Sequence, residues 1–149
     1  MKPVFVLNGP NLNLLGLREP AIYGDATLKD VESRCRDHAR ALGLSVDFRQ
    51  SNHEGDLIGW IHEARDKASA IAINAGAYTH TSVGLHDALK AADIPSVELH
   101  LSNVHKREAF RHVSLIAPAV NGVICGFGVD SYVLAITALH CLISAAKKG

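Results

Sequence analysis

The chain has 149 residues, 48% of them hydrophobic and 20% charged, a composition that excludes an intrinsically disordered protein and fits one globular domain over residues 1–149. Its 15 Lys plus Arg balance its 15 Asp plus Glu, so no cationic excess drives it toward nucleic acid or an anionic bilayer. The longest apolar stretch, YVLAITALHCLISAA, is interrupted by His140 and falls short of the roughly 18 residues that read as a membrane span. The N-terminal MKPVFVLNG lacks a signal-peptide pattern, and Cys35, Cys125 and Cys141 form no CxxC pair. Reduced thiols in a cytoplasmic protein are the expectation.

Short β-rich runs alternate with helical patterns. VFVLN (4–8) predicts a strand and leads into a loop. Thr27 can cap a helix that runs through VESRCRDHARAL and stops at Gly43. LSVDFRQ (44–50) alternates like a strand, and DLIGWIHEARDKA (56–68) carries Leu57, Ile58 and Ile61 on one helical side. AIAIN (70–74) predicts a buried strand, and SVGLHDALKAAD (82–93) a helix that ends before Pro95. SVELHL (96–101) is the fourth strand, REAFR (107–111) a short helix, and AVNGVIC (119–125) the last strand. VDSYVLAITALHCLISAAKK (129–148) is a long final helix, apolar nearly all round, which argues for burial on more than one side and for contacts between subunits.

Alternation of this kind predicts an α/β fold with helices on both faces of a parallel sheet. Five strands in this length fit a flavodoxin-like three-layer domain with strand order 2-1-3-4-5.

Ligands in such a sheet bind beyond the carboxyl ends of the strands, and here those ends are polar. The first strand runs into Asn8-Gly9-Pro10-Asn11, the third into Asn74-Ala75-Gly76 and then YTHTS, and the fifth into Gly126-Phe127-Gly128. The fourth strand carries Glu98 and His100, two apart and so on one face. Both side chains are solvated if the strand ends early. If it does not, Glu98 can orient the His100 imidazole and favour its protonated form, leaving a proton donor near neutral pH. In VHKREAFR, Arg107 and Arg111 are four apart and share a helix face, either a plain solvated face or a reach toward an anion or hydroxyl. The turn HLSN offers backbone N–H groups that suit a carboxylate.

Residues 16–24, GLREPAIYG, are bounded by glycines and hold Pro20, which reads as a hinged loop rather than a helix. The loop carries Arg18 and Tyr23. A free tyrosine is ionised to only about one part in a thousand at pH 7. A fixed guanidinium beside it lowers the cost of the phenolate, which can then take a proton alpha to a carbonyl. An ordinary surface loop with an anchoring tyrosine is the competing reading.

Other chemistry has little support. There is no HExxH, no Cys-His cluster, no Walker A motif and no Gly-x-Ser-x-Gly elbow, and GVICGFG follows the last strand instead of the first.

Five blocks, NGPNLNLLGLREPAIYG, RQSNHEGDLIGWIHEA, INAGAYTHTSVGLHDAL, VELHLSNVHKREAFRHVS and GFGVDSY, together resemble type II 3-dehydroquinate dehydratase (3-dehydroquinase). The likeness runs in order through nearly the whole chain. It implies reversible dehydration of 3-dehydroquinate to 3-dehydroshikimate by anti elimination through an enolate, without metal or organic cofactor. On this likeness Tyr23 is the base, Arg18 stabilises its phenolate, and Asn11 helps hold a water against the enolate oxygen. His100 is the acid that protonates the departing hydroxyl, oriented by Glu98. Asn74, His80, Asp87 and Arg111 bind ring hydroxyls, with Asp87 close to or across a subunit boundary, and the backbone at Leu101 and Ser102 holds the carboxylate. The resemblance also implies a homo-oligomer, a dodecamer built from trimers. The alternative is a non-catalytic flavodoxin-like domain that binds an anionic metabolite or flavin phosphate at the same edge.

Overall fold

The strands are β1 (Val4–Asn8), β2 (Val46–Gln50), β3 (Ala70–Asn74), β4 (Ser96–His100) and β5 (Gly122–Cys125). The computed structural model, which describes residues 1–148, pairs them all in parallel in the order β2-β1-β3-β4-β5, the order expected from the sequence. The helices are α1 (Pro20–Tyr23), α2 (Leu28–Ala41), α3 (Glu54–Lys67), α4 (Val83–Ala92) and α5 (Asp130–Lys148). Among the described residues no helix is long and apolar enough to cross a membrane.

The period of two along each strand divides the core into layers. Val4, Val6, Ala70, Ala72, Val97 and Leu99 point to one face and pack with Val31, Cys35 and Ala39 of α2 and Ile136 and Leu139 of α5. Phe5, Leu7, Ile71 and Ile73 point to the other and pack with Leu57 and Ile61 of α3 and Leu85 and Leu89 of α4. β1, β3 and β4 are buried throughout, which is why they carry almost continuous apolar sequence. Burial also pushes the Cys35 thiol up to about 12, so it packs as a small hydrophobe and is no nucleophile.

Helix ends follow their caps. The Thr27 hydroxyl accepts from the Asp30 backbone N–H at 3.2 Å, and the Asp30 carboxylate accepts from the Thr27 N–H at 3.0 Å, a reciprocal capping box that starts α2. The Ser82 hydroxyl accepts from the Leu85 N–H at 2.9 Å and starts α4. In α5, Tyr132, Ile136, Leu139 and Ile143 are buried within the chain, while Leu134 is 42% exposed, so part of its apolar surface is left uncovered by this chain.

Two expectations change. Residues 107–111 are not one helix: 3-10 turns at Val104–Lys106 and Ala109–Arg111 leave Arg107 extended between them, so Arg107 and Arg111 do not share a helix face. A helix this short is marginal alone, and the Asn103 side chain instead closes a local turn by accepting from the His105 N–H at 3.1 Å. Residues 20–23 form one turn of helix despite Pro20, because proline occupies the first helical position, where its missing N–H costs nothing.

Arg49 ties β2 to α3. Its guanidinium donates to Asp47 at 2.9 Å and to Glu63 at 2.6 Å and lies 4.4 Å from the centroid of the Phe5 ring. Hydrogen bonds from Arg49 hold the Asp47 and Glu63 carboxyls below the usual carboxylate range. Depressed carboxylates add stability above their unfolded values, near pH 4, and lose it as pH falls through the folded values. Arg49→Met is therefore expected to be less stable than wild type at neutral pH, with a gap that narrows as melts are run from about pH 5 to pH 2. A constant gap across that range would remove the ion pairs as its cause.

Candidate active site

The strand register sets the site. Asn8 at the end of β1 lies beside Asn74 of β3 and Gln50 of β2, while Glu98 and His100 close β4. The chain leaves β1 through Gly9, where an added Cβ would stand 2.3 Å from the Ala75 carbonyl oxygen. That close approach needs glycine. Gly9→Ala is expected to cost about 2 kcal/mol, a fall in Tm of about 5 °C, read by thermal melting. An unchanged Tm would mean that the two turns part without strain. Asn11 follows in the left-handed region with φ 69°, and its N–H donates to the Asn52 Oδ1 at 3.0 Å.

Above these strand ends lies a cavity of about 220 Å³. It is lined by Asn11, Arg18, Tyr23, Asn74, His80 and His100, with Leu101 and Ser102 at the end of β4 and Arg107 and Arg111 beyond it. Glu98 sits behind His100. Asp87 does not join them: it lies on an exposed face of α4, its side chain 73% accessible and 3.2 Å from His86.

Glu98 is fully buried, and its carboxylate accepts from three side chains. The Ser114 hydroxyl reaches Oε1 at 2.8 Å, the Thr79 hydroxyl reaches Oε2 at 3.1 Å, and His100 Nε2 donates to Oε2 at 2.6 Å. Because a carboxylate only accepts, the proton on Nε2 is fixed, and Nδ1 is the ring nitrogen left for exchange. Both strand residues are buried, so the solvated reading does not hold. His80 stacks on His100 with ring centroids 6.4 Å apart, and its Nδ1–H donates to the Val113 carbonyl at 2.8 Å.

Tyr23 is held from two sides. Arg107 Nη1 donates to its hydroxyl oxygen at 2.7 Å, while the Arg18 guanidinium lies 5.3 Å from the ring centroid. The Arg107 guanidinium is also 5.4 Å from the ring centroid, so both arginines lie near the π face and Arg107 adds the bond to the oxygen. The Arg107 carbonyl accepts from His112 Nε2 at 2.9 Å, which fixes the backbone that carries this arginine. The Glu19 carboxylate is 3.7 Å from Arg107 and 3.9 Å from Arg18. Gly16 (φ 90°) and Gly24 (φ 82°) bracket the segment at positions that side chains rarely adopt. The contact of Arg107 with Tyr23, and the support of Glu98 by Thr79 and Ser114, were not legible in the sequence.

Among the described residues no group of three or more His, Cys, Asp or Glu could hold a metal ion. A doubly wound sheet whose carboxyl edge carries a buried Glu-His pair, with a guanidinium-bound phenol lining the same cavity, belongs with the α/β enzymes that work at that edge. The model of the family described as dehydroquinase class II matches residues 2–140. The chain is 68% identical over 136 residues to the 3-dehydroquinate dehydratase of Rhizobium johnstonii, covering 91% of this chain and 94% of that one. It is 62% identical to that of Rhizobium meliloti, covering 97% of each. Its fold superposes on the type II dehydroquinase of Propionibacterium acnes with a TM-score of 0.91 at 42% identity, over 95% of this chain and 97% of that one. The chain belongs to the class II dehydroquinase family and is a dehydratase, a hydro-lyase. The non-catalytic flavin- or metabolite-binding alternative gives way to this.

Proposed function

We propose that this chain, acting as one catalytic domain, reversibly dehydrates 3-dehydroquinate to 3-dehydroshikimate through an enolate, in aromatic biosynthesis or quinate breakdown. The observation that carries the mechanism is the pair of groups that share one cavity, Tyr23 bonded to Arg107 and His100 bonded to Glu98. Tyr23, as the phenolate, takes the proton beside the ketone, and the electron pair moves onto the ketone oxygen as the enolate. Collapse of the enolate expels the hydroxyl on the opposite face, which His100 protonates so that it leaves as water. Glu98 holds the imidazole in place and balances its charge before the proton is given. Arg107 and Arg18 balance the phenolate. Asn11 holds a water against the enolate oxygen.

Asn74, His80 and Arg111 bind ring hydroxyls, and the backbone at Leu101 and Ser102 binds the carboxylate. Asp87 does so from a neighbouring copy, a reading supported by its exposure and its absence from the lining of its own chain's cavity. The assembly is a dodecamer built from trimers, and the exposed Leu134 on α5 leaves apolar surface for contacts between copies. A cytoplasmic location suits the three free cysteines.

The test is ultraviolet absorbance. 3-Dehydroshikimate has a conjugated enone that 3-dehydroquinate lacks, so adding substrate gives a rising signal, and pretreatment with a chelator leaves its rate unchanged. A flat trace would overturn the substrate assignment, and a rate abolished by chelation would overturn the metal-free mechanism.

A further inference from the structure

Strand parity places a second polar constellation beneath the site. Along β1 and β3, Val4, Val6, Ala70 and Ala72 face α5, so Asn8 and Asn74, two residues further on, face the same way. The parallel register sets these asparagines side by side. Tyr132 of α5 reaches both: its hydroxyl donates to Asn8 Oδ1 at 2.6 Å and accepts from Asn74 Nδ2 at 3.0 Å. We infer that Tyr132 is a positioning residue for Asn74, fixing which end of that amide is presented to the substrate. The inference rests on the proposed role of Asn74 as a substrate contact.

Asn8 Nδ2 donates to the Arg49 carbonyl at 3.0 Å, and a carbonyl can only accept. The Asn8 oxygen therefore faces Tyr132 and takes the single proton of the phenol. The phenol oxygen, its proton committed, accepts from Asn74. At the far end the Asn74 Oδ1 accepts from the Gly76 N–H at 3.3 Å, and a backbone N–H can only donate. The two backbone ends impose the same direction. Inverting the Asn74 amide would set N–H against N–H at Gly76 and oxygen against oxygen at Tyr132.

Water cannot repair such a mismatch, because Asn8, Tyr132 and Asn74 are 0%, 1% and 3% exposed. Burial raises the Tyr132 phenol above its ordinary value, so it keeps its proton throughout the physiological range. Asn74 lines the cavity with its amide oriented, one N–H and one Oδ1 lone pair unspent. A donor and an acceptor fixed on one amide suit a hydroxyl that accepts one hydrogen bond and donates another. Without the phenol oxygen, two amide orientations compete, and only one of them matches that hydroxyl.

A double-mutant cycle on steady-state rates, each variant assayed well below its own melting point, tests this. Tyr132→Phe is expected to lower kcat/KM about tenfold, mostly through KM, and Asn74→Ala to lower it further. In the Asn74→Ala background, Tyr132→Phe is expected to add nothing, because its route to the substrate is gone. Multiplying factors would make Tyr132 merely structural and overturn the inference. So would an intact kcat/KM in Tyr132→Phe beside an impaired Asn74→Ala, which leaves the substrate contact standing. An unimpaired Asn74→Ala would overturn both. If Tyr132→Phe does not fold, Asn8→Ala takes its place in the cycle. It frees the phenol proton to turn toward Asn74, and the same loss, again absent in the Asn74→Ala background, is expected; an unimpaired Asn8→Ala or multiplying factors would overturn the inference.

Discussion

Replacing Tyr23 by phenylalanine is expected to lower kcat by about three orders of magnitude while KM stays within about threefold of wild type. The change deletes one oxygen and keeps the ring against which the Arg18 guanidinium lies at 5.3 Å. The other lining residues Asn74, His80 and His100 are untouched, so the groups proposed to bind substrate remain. What disappears is the atom that accepts from Arg107 at 2.7 Å and, in the proposed mechanism, the base itself. Water is a poor substitute for a base held at the reacting carbon. The enone absorbance measures the loss directly, and substrate binding to the inactive variant can be followed separately by calorimetry. A variant turning over within tenfold of wild type would remove Tyr23 as the base. Lost affinity with intact kcat would make it a binding residue.

The sequence disclosed features that depend on local pattern and withheld those that depend on register. AIAIN and VFVLN could be read as central strands because strands buried on both faces tolerate little but apolar residues until their polar ends. Glu98 and His100 stood out for the same reason: a carboxylate and an imidazole on such a strand need partners. The partners themselves were hidden. Thr79 and Ser114 come from separate turns, 19 and 16 residues from Glu98, and nothing local marks a hydroxyl that will meet a buried carboxylate. Tyr132 read as one more apolar residue on an apolar helix, since its hydroxyl finds its acceptor on Asn8, 124 residues away.

The reading of Arg107 and Arg111 as helical neighbours failed because spacing of four has meaning only inside a helix. Two 3-10 turns replace that helix and send Arg107 to Tyr23, 84 residues distant in sequence. Arg18, five residues from Tyr23, is the natural candidate in sequence for the phenol's partner, yet both arginines lie near the ring, at 5.3 and 5.4 Å from its centroid, and the bond to the oxygen comes from Arg107.

That division between the two arginines has a kinetic consequence. Arg107→Met is expected to lower kcat about a hundredfold, and Arg18→Gln about tenfold, with modest changes in KM for both. A hydrogen bond to an ionised partner is worth about 1.5–3 kcal/mol, and each 1.36 kcal/mol is about tenfold in rate. Arg107 supplies that bond to the atom on which the proposed mechanism places negative charge, from a side chain only 12% exposed, where solvent screens it little. Arg18 is 38% exposed and stands over the ring, so its contribution is more distant and more screened. Methionine preserves much of the arginine stem, so the comparison removes charge and hydrogen bond without opening a large void. Arg107→Lys should recover part of the rate, since it restores the charge but not the planar fork that reaches Tyr23 and Glu19 together. If Arg18→Gln proved the more damaging change in kcat, charge over the ring face would matter more than the bond to oxygen. If Arg107→Met raised KM and spared kcat, Arg107 would be a clamp on the substrate, and the stabilisation of the phenolate would fall to Arg18 alone.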